Sequence, residues 1–486
     1  MRTASVPAAR ADRAADLRVK APTGAPVHAR LILTIICVSY FMVILDNSIV
    51  FTGLPQIQSA MGFSGTGLSW ITNAYVLFFG GLLLLGARAG DLFGHRRMFV
   101  LSLVVFALSS LLVGAAQTQW WLIGARALQG VGAAVLAPSA LSLLTRSFAE
   151  GRARNRAMAA YSAVAGLGAS LGLAVGGLVA DLISWRAGFF LNVPVGLAMI
   201  LLAVRYLPET PRRRGGFDVT GALLATLGSI AVVLGIVNAT GLGWNAPATA
   251  GPLAAGLVLL GLFVAVERRA AQPIVPLWLF ASRERSGAYL VRMLYMGAMI
   301  GFFFFTAQYV QSVYDWTPLQ AGLAFLPMTL VNFVVAVQVP RLLERARRPL
   351  VLLAGVALTA AGMVWLSRLG LHTPYVTGVA LPMILIGVGQ GMALAPMTSS
   401  GVDGVAPSDA GAASGLVNTV HQIGSALSLS ILTAAAATAA TGSAAADIAA
   451  RSGAALTGSA VLLALAVLAV LALIVPARAT RNERSL

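Results

Sequence analysis

Long runs of apolar residues alternate with short polar gaps along most of the 486-residue chain. Each run is close to the roughly 20 residues that a helix, rising about 1.5 Å per residue, needs to cross a hydrocarbon core about 30 Å thick. The pattern therefore predicts membrane-spanning helices and not barrel strands. We predict fourteen of them, near residues 31–53, 69–87, 98–116, 120–145, 157–181, 187–207, 218–238, 249–267, 287–311, 319–340, 349–367, 375–396, 411–436 and 456–476.

The basic residues in the polar gaps predict the orientation of these helices. Lys and Arg accumulate in cytoplasmic loops. Most of the 33 basic residues lie in the two tails and in the gaps after helices 2, 4, 6, 8 and 10, whereas the opposite gaps hold only Arg186, Arg368 and Arg451. The alternation favours an even number of helices with both chain ends in the cytoplasm.

The same gaps divide the chain into groups of six, two and six helices. The predicted fold is an all-α membrane protein. Basic segments after helices 6 and 8 mark the two boundaries. The predicted parts are a basic cytoplasmic tail (1–30), an N-terminal six-helix bundle (31–207), two inserted helices (208–286), a C-terminal six-helix bundle (287–477) and a cytoplasmic tail (478–486).

The amino-acid composition supports a location in the membrane and indicates which kind of partner to expect. The chain is 58% hydrophobic and only 10% charged, where soluble proteins have roughly 25% charged residues. Its net charge of +17 comes from scattered arginines that form no continuous stripe, so the expected partner is a lipid bilayer and not a nucleic acid. The single cysteine, Cys37, excludes an intramolecular disulfide and a cysteine-based metal site, and we predict no metal site.

Four motifs fall on or between the helices of the first half. The first, on helix 1, reads Leu45-Asp46-Asn47-Ser48-Ile49-Val50, followed by Leu54-Pro55. The second, between helices 2 and 3, reads Gly86-Ala87-Arg88-Ala89-Gly90-Asp91-Leu92-Phe93-Gly94-His95-Arg96-Arg97. The third, on helix 4, comprises Leu122, Arg126, Gln129, Gly130, Gly132 and Pro138. The fourth comprises Gly168, Gly172, Gly176 and Gly177 on helix 5, followed by Trp185-Arg186 and Phe190-Leu191-Asn192-Val193-Pro194.

These motifs resemble those of the major facilitator superfamily, specifically its fourteen-helix drug:proton antiporter branch, from helix 1 to helix 14. The resemblance implies a monomeric transporter of the cell membrane, not an enzyme, that exports drugs or an antibiotic by alternating access. It needs no cofactor, because a proton gradient supplies the energy. The chain departs from the family pattern at five positions: Phe51 replaces an Asn, Gly53 an Ala, Leu92 a basic residue, Leu173 a Pro and His421 an Arg.

The resemblance also implies roles for the motif residues. Asp46 is associated with proton coupling and Arg126, with Gln129 and Gly130 beside it, with proton transfer. A cytoplasmic gating loop is implied for Gly86, Arg88, Gly90, Asp91, Gly94, Arg96 and Arg97. For the helix 5 glycines, Gly168, Gly172, Gly176 and Gly177, the family role is to seal the two halves, and plain close packing is the alternative.

Asp46 and Arg126 share a predicted depth. Asp46 lies seven residues before Gly53, and Arg126 lies six residues after Trp120, so both lie about 9 to 10 Å below the outer boundary. A charged group at that depth costs about 2.5 to 3.5 kcal/mol, so it tends to be paired or functional. We expect the two to interact, either as a pair that protonation of Asp46 breaks during transport or as a static pair that only fixes packing.

Helix 13 offers a second group of polar side chains inside the membrane, Asn418, His421 and Gln422. His421 is a candidate for substrate binding or proton shuttling, and a hydrogen-bonded packing role is the alternative. Arg292 lies barely two turns from the cytoplasmic boundary of helix 9, so we expect it to snorkel out of the membrane. We expect the run Phe302–Phe305 to pack in the core or against lipid, with contact to an aromatic substrate as the alternative.

Four other functions also use membrane-spanning helices. An exporter or importer of a dedicated metabolite or siderophore would use the same fold. An ATP-driven pump needs a Gly-x-x-x-x-Gly-Lys-Ser/Thr loop, and the one lysine, Lys20, is in no such loop. A membrane enzyme needs a constellation of catalytic side chains, which four scattered histidines do not supply. A receptor would be expected to append a soluble domain, and no gap is long enough.

Overall fold

The computed structural model describes residues 28–149, 151–209, 218–270, 273–406, 409–439 and 444–476. These residues form helices and turns and contain no strand. The long helices are α1 Ala29–Met61, α2 Ser69–Phe93, α3 His95–Gly114, α4 Gln119–Ser147, α5 Arg152–Leu182, α6 Trp185–Tyr206, α7 Val219–Leu242, α8 Pro247–Glu267, α9 Arg283–Ser312, α10 Pro318–Arg345, α11 Arg348–Leu366, α12 Val376–Gly401, α13 Ala410–Ala437 and α14 Ala444–Ala469.

Within the described residues, 13 helices are long and apolar enough to cross a membrane. The remaining long helix is α5, whose sequence carries no charge from Ala157 to Ala180 but whose side chains are described without interruption only over Leu171–Leu182. The all-α membrane fold is therefore confirmed. The fourteenth crossing stays a prediction that depends on α5. Of the two predicted tails, only positions 28–30 are among the described residues. Residues 210–217, most of the linker after α6, also lie outside them.

Several helices extend beyond their predicted limits, and the largest differences are in α1 and in α14, which begins at Ala444 and not at 456. α1 was predicted to end at 53 but continues through Pro55 to Met61, where Gly62 ends it with a left-handed φ of 68°. A proline near a helix end leaves only one backbone hydrogen bond unmade, so the helix continues past it. α10 is interrupted at Phe325, which divides it into a short outer segment and a longer inner one.

Helix contacts divide the chain into two bundles. In the first half, α1 packs on α4, α5 and α6, and α4 packs on α2 and α3. In the second half, α9 packs on α13 and α14, and α12 packs on α10 and α11. α2 meets α13 and α5 meets α10 across the interface between the halves. The inserted α7 and α8 pack on each other, and α7 also contacts α2 and α13.

Much of the outer surface of the bundle is apolar. α8 is the most exposed span, and Leu257 and Val258 are 66% and 61% exposed. A soluble monomer would not leave such a surface open to water, so these side chains face lipid.

A cavity of about 1500 Å³ separates the two halves. Arg88, Asp91 and His95, at the junction of α2 and α3, lie at its mouth, so it opens on the face that is predicted to be cytoplasmic. At the opposite end α5 packs directly on α10. The structure is therefore open to the inside and closed to the outside.

Candidate functional site: a buried ion pair beside a central cavity

Asp46 of α1 and Arg126 of α4 form an ion pair in the core of the first half. Nη1 of Arg126 donates to Oδ2 of Asp46 at 2.5 Å, and both side chains are fully buried. The predicted interaction between them is therefore present and direct, without a water in between. Their adjacent residues Asn47 and Ser48 line the cavity, whereas neither Asp46 nor Arg126 does. The pair lies one layer behind the cavity wall.

Two amides complete the surroundings of the Asp46 carboxylate. Nε2 of Gln129 donates to Oδ1 at 2.7 Å, and Nδ2 of Asn192 on α6 donates to the same oxygen at 3.1 Å. Both amides also donate to the Ser110 hydroxyl of α3, at 2.7 and 3.3 Å. Every group that contacts the carboxylate is a donor, which is the arrangement an ionised carboxylate requires.

Arg126 is held by further contacts on α2. Its Nε donates to the carbonyl of Ile71 at 3.1 Å, and its guanidinium lies 4.4 Å from the centre of the Tyr75 ring. Nη2 of Arg126 is buried and has no hydrogen-bond partner among the described residues. The guanidinium thus retains one nitrogen, Nη2, whose N–H groups a rearranged site can use.

The prediction that Asp46 and Arg126 lie at the same depth used an incorrect outer end for α1. Asp46 lies 15 residues before the end of α1 at Met61, roughly 22 Å along the axis. Arg126 lies only seven residues after Gln119, roughly 10 Å along α4. The two still meet because α1 extends farther outward than α4 does.

The helix 13 residues lie on the cavity wall. Asn418, His421 and Gln422 all line it, as does Ser425 one turn farther on. Nδ2 of Asn418 donates to the carbonyl of Ser414 at 3.1 Å, so part of its hydrogen-bonding capacity is used within α13. A methyl group at Gly80 of α2 would lie 2.5 Å from Cβ of Gln422, so Gln422 lies at the contact between the halves.

The prediction that Arg292 snorkels out of the membrane is wrong. Its side chain is only 9% exposed and lines the cavity, with Nη2 3.3 Å from Nδ1 of His421. Snorkelling is favourable when water is nearest at the membrane surface. Here the cavity brings water and polar groups to the inner face of α9, so the side chain points inward.

The α2–α3 loop is tied to its own half by charged contacts. Asp91 lies 3.4 Å from Nε2 of His95 and 3.8 Å from Nη2 of Arg146 on α4. Nε of Arg97 lies 3.4 Å from Glu209, and Arg96 donates to the carbonyl of Val204 on α6. Gly94 connects the two helices with a φ of 99°, which a residue with a side chain rarely adopts. Arg88 lines the cavity mouth.

The helix 5 glycines face two different partners. Methyl groups at Gly168, Gly172 and Gly176 would lie 3.1 Å or less from side-chain or backbone atoms of α1. One at Gly177 would lie 2.3 Å from the carbonyl oxygen of Pro318, and one at Gly322 would lie 2.3 Å from that of Leu173. The first three glycines pack α5 on α1, whereas Gly177 and Gly322 bring α5 and α10 into backbone contact at the outer end.

Glycines of the loop and helix 4 motifs join α2 to α4 in the same way. A methyl group at Gly86 would lie 2.3 Å from the carbonyl oxygen of Ala134, and one at Gly130 would lie 2.4 Å from that of Tyr75. A methyl group at Gly90 would lie 2.4 Å from Nδ1 of His95, which accounts for a third glycine of the loop.

The sequence analysis assigned no functional role to Asn192, Ser110 or Arg292. Each is a polar residue inside an apolar span, which is a signal that could have found them, and Asn192 also lies in the fourth motif. Such residues are common enough as interhelical contacts that the pattern alone does not rank them.

Comparison with known proteins agrees with this architecture. The profile of the Major Facilitator Superfamily matches residues 36–429. The chain is 40% identical over 405 residues to the cephamycin export protein CmcT of Amycolatopsis lactamdurans, covering 82% of this chain and 83% of the relative. It is 39% identical over 409 residues to the puromycin resistance protein pur8 of Streptomyces alboniger, covering 83% and 81%.

Solved structures show the same fold at low sequence identity. The structure resembles that of the nucleoside transporter NupG with a TM-score of 0.64 and 12% identity, over 91% of this chain and 99% of that one. With the profile match and the relatives above, the resemblance seen in the four motifs is confirmed. The chain belongs to the major facilitator superfamily and is a multi-pass transporter of the plasma membrane.

Proposed function

We propose that the chain exports an antibiotic-like organic compound in exchange for protons. The observation that carries the proposal is the fully buried Asp46–Arg126 pair directly behind the wall of a cavity that opens inward. Relatives that cover most of the chain are named for cephamycin export and for puromycin resistance, which supports export of such compounds.

The proposed carrier of the proton is Asp46. In the inward-open state it has only donors around it, so it has released its proton to the cytoplasm and is paired with Arg126. A proton that enters from the outside in the other state neutralises the carboxylate and weakens its attraction for Arg126. The freed guanidinium then finds new partners, and this change favours the return to the inward-open state.

Arg126 is proposed to keep Asp46 from being protonated at the wrong time. An unpaired carboxylate at this depth would be costly and would take up a proton from either side. Neither side chain lines the open cavity, so the proton is proposed to leave Asp46 while the halves move and not after the cavity has opened. This coupling between protonation and movement is what an antiporter needs.

The α2–α3 loop and the α5 glycines are proposed to serve the two gates. Gly177 and Gly322 allow the backbone contact between α5 and α10 that closes the outside. The loop charges hold the inner ends of α2, α3, α4 and α6 together, so that the first half moves as one body.

Transport by inverted membrane vesicles tests the proposal. With an acidic lumen, wild type should accumulate a cephamycin, and a protonophore should abolish the accumulation. Asp46→Asn should abolish it as well, since an amide cannot carry a proton. Asp181→Asn, at an exposed position on α5, is the matched control and should transport normally. Accumulation that persists in Asp46→Asn, or without a pH gradient, would contradict proton antiport.

A further inference from the structure

Arg292 is a buried cation in the wall of the cavity, about 13 to 14 Å from the inner end of α9. Its Nη1 donates to the hydroxyl of Thr398 on α12 at 3.4 Å, and its Nη2 donates to Nδ1 of His421 at 3.3 Å. Its Nε is buried and has no hydrogen-bond partner among the described residues. Two neutral groups on two helices thus hold the guanidinium, and its Nε–H is left without a partner among the described residues.

No carboxylate among the described residues lies within salt-bridge distance of Arg292. Four arginines and two aspartates line the described cavity wall, an excess of two positive charges. Both aspartates lie at the mouth, where Asp91 contacts Arg146 and Asp218 caps the first turn of α7. The deep part of the cavity therefore carries a positive charge without a matching anion among the described residues.

An uncompensated buried charge is costly, and the usual remedy is a partner of opposite sign. His421 cannot be that partner. An arginine only donates, so Nδ1 of His421 accepts and the ring remains neutral with its proton on Nε2. The partner that completes the site has to come from outside the described protein.

An apolar stripe continues from Arg292 toward the closed end of the cavity. Met296, Met299 and Phe303 line the cavity at intervals of four, three and four residues, so they share one face of α9 with Arg292. A flexible thioether surface adapts to varied ring shapes, and the phenyl ring adds a stacking surface. The face presents a cation at its inner end and an apolar surface over roughly 16 Å beyond it.

We infer that Arg292, supported by His421 and Thr398, binds a carboxylate of the transported compound, whose apolar body lies along Met296, Met299 and Phe303. This assignment of substrate class rests on the proposed transport function. A guanidinium offers a carboxylate two parallel hydrogen bonds, which a lysine at the same place would not reproduce. The preferred substrates are organic acids with a hydrophobic ring system.

Binding to the full-length protein in nanodiscs, with no pH gradient, tests the inference. The probes are 7-diethylaminocoumarin-3-carboxylic acid and its ethyl ester, which share the same ring system and carry an anionic carboxylate and an uncharged ester at the same position. Wild type should bind the acid at least about tenfold more tightly than the ester. Arg292→Gln should remove this preference by weakening acid binding while ester binding changes less than twofold, and Arg292→Lys should keep part of it.

Arg341→Gln, at an exposed position near the inner end of α10, is the control for general loss of positive charge and should bind both probes normally. Equal binding of acid and ester by wild type would overturn the inference, as would equal losses of both probes in Arg292→Gln. The vesicle assay keeps the two proposals apart. If acid binding depends on Arg292 but vesicles show no proton-driven transport, only the antiport proposal is overturned. If transport is proton-driven but the protein does not prefer the acid, only the substrate class is overturned.

Discussion

Phe51 of α1 stacks on Phe303 of α9, with ring centroids 5.7 Å apart and an angle of 24° between the rings. Both side chains line the cavity, and on their helices they are the lining residues nearest the outer end. Phe303 also contacts Phe325 at the interruption of α10, at 5.5 Å. The two halves therefore meet through aromatic rings at the closed end of the cavity.

Phe51→Ala should shift the protein toward the outward-open state. Aromatic pairs contribute about 0.5 to 1.5 kcal/mol beyond their buried area, so the population ratio should change roughly 2- to 10-fold. The reporter is a cysteine at Leu173, at the outer end of the cavity, in a Cys37→Ser background. Its labelling by an impermeant maleimide added to intact cells should become faster.

A double-mutant cycle identifies the pair as the cause. Phe303→Ala should have a similar effect, and the double variant should exceed either single change by less than their sum. Fully additive effects would show that the rings act through separate contacts. Unchanged labelling in all three variants would refute a role for the pair in closing the outer side.

Gly177→Ala should open the outer face more strongly than the loss of an aromatic contact does. Its added methyl group would lie 2.3 Å from the backbone oxygen of Pro318, and backbone cannot move aside as a flexible side chain can. We expect faster labelling at the same reporter and loss of export. Gly124→Ala, where no atom lies within 4 Å, is the control. Normal export by Gly177→Ala would contradict the proposed seal.

Much of the fold followed from the sequence because lipid simplifies the problem. Every backbone group inside the membrane must be bonded within its own helix, so an apolar run of sufficient length can be little else. Helix ends were less certain, since the apolar pattern does not distinguish a helix that stops at the boundary from one that continues beyond it. α1 shows this, because it extends to Met61 past the predicted end at 53.

The sequence identifies charged residues inside apolar spans, because such charges are costly in a membrane. It does not predict the direction in which such a side chain points when that depends on the packing of other helices. Asp46 and Arg126 stand out in any apolar run, and their contact agrees with the hypothesis drawn from their depth. Arg292 stands out equally, but its direction depends on a cavity formed by both halves, which no local pattern contains. The amides of Gln129 and Asn192 come from two helices and meet only after packing.

Arg126→Gln should destabilise the protein more than removal of both charges does. It leaves the buried Asp46 without its cation, and breaking such a pair costs about 3 to 5 kcal/mol. The double variant Asp46→Asn/Arg126→Gln buries no charge and should recover a large part of that loss. Thermal unfolding of the purified proteins in detergent, followed by tryptophan fluorescence, should give the order wild type, double variant, single variant. A double variant no more stable than Arg126→Gln would contradict this account.

The direction of α5 decides the topology of everything after it. If α5 did not cross the membrane, the later loops would exchange sides, and the four arginines at the junction of α10 and α11 would lie outside, against the bias of cytoplasmic loops. We therefore expect a cysteine at Ile183, which is 73% exposed, to be labelled in intact cells by an impermeant maleimide. Cysteines at Arg152 and Glu344, in the same Cys37→Ser background, should be labelled only after permeabilisation. Labelling of Glu344→Cys from the outside would show that the chain crosses the membrane one time fewer before α11, and the positions of both gates would have to be reassigned.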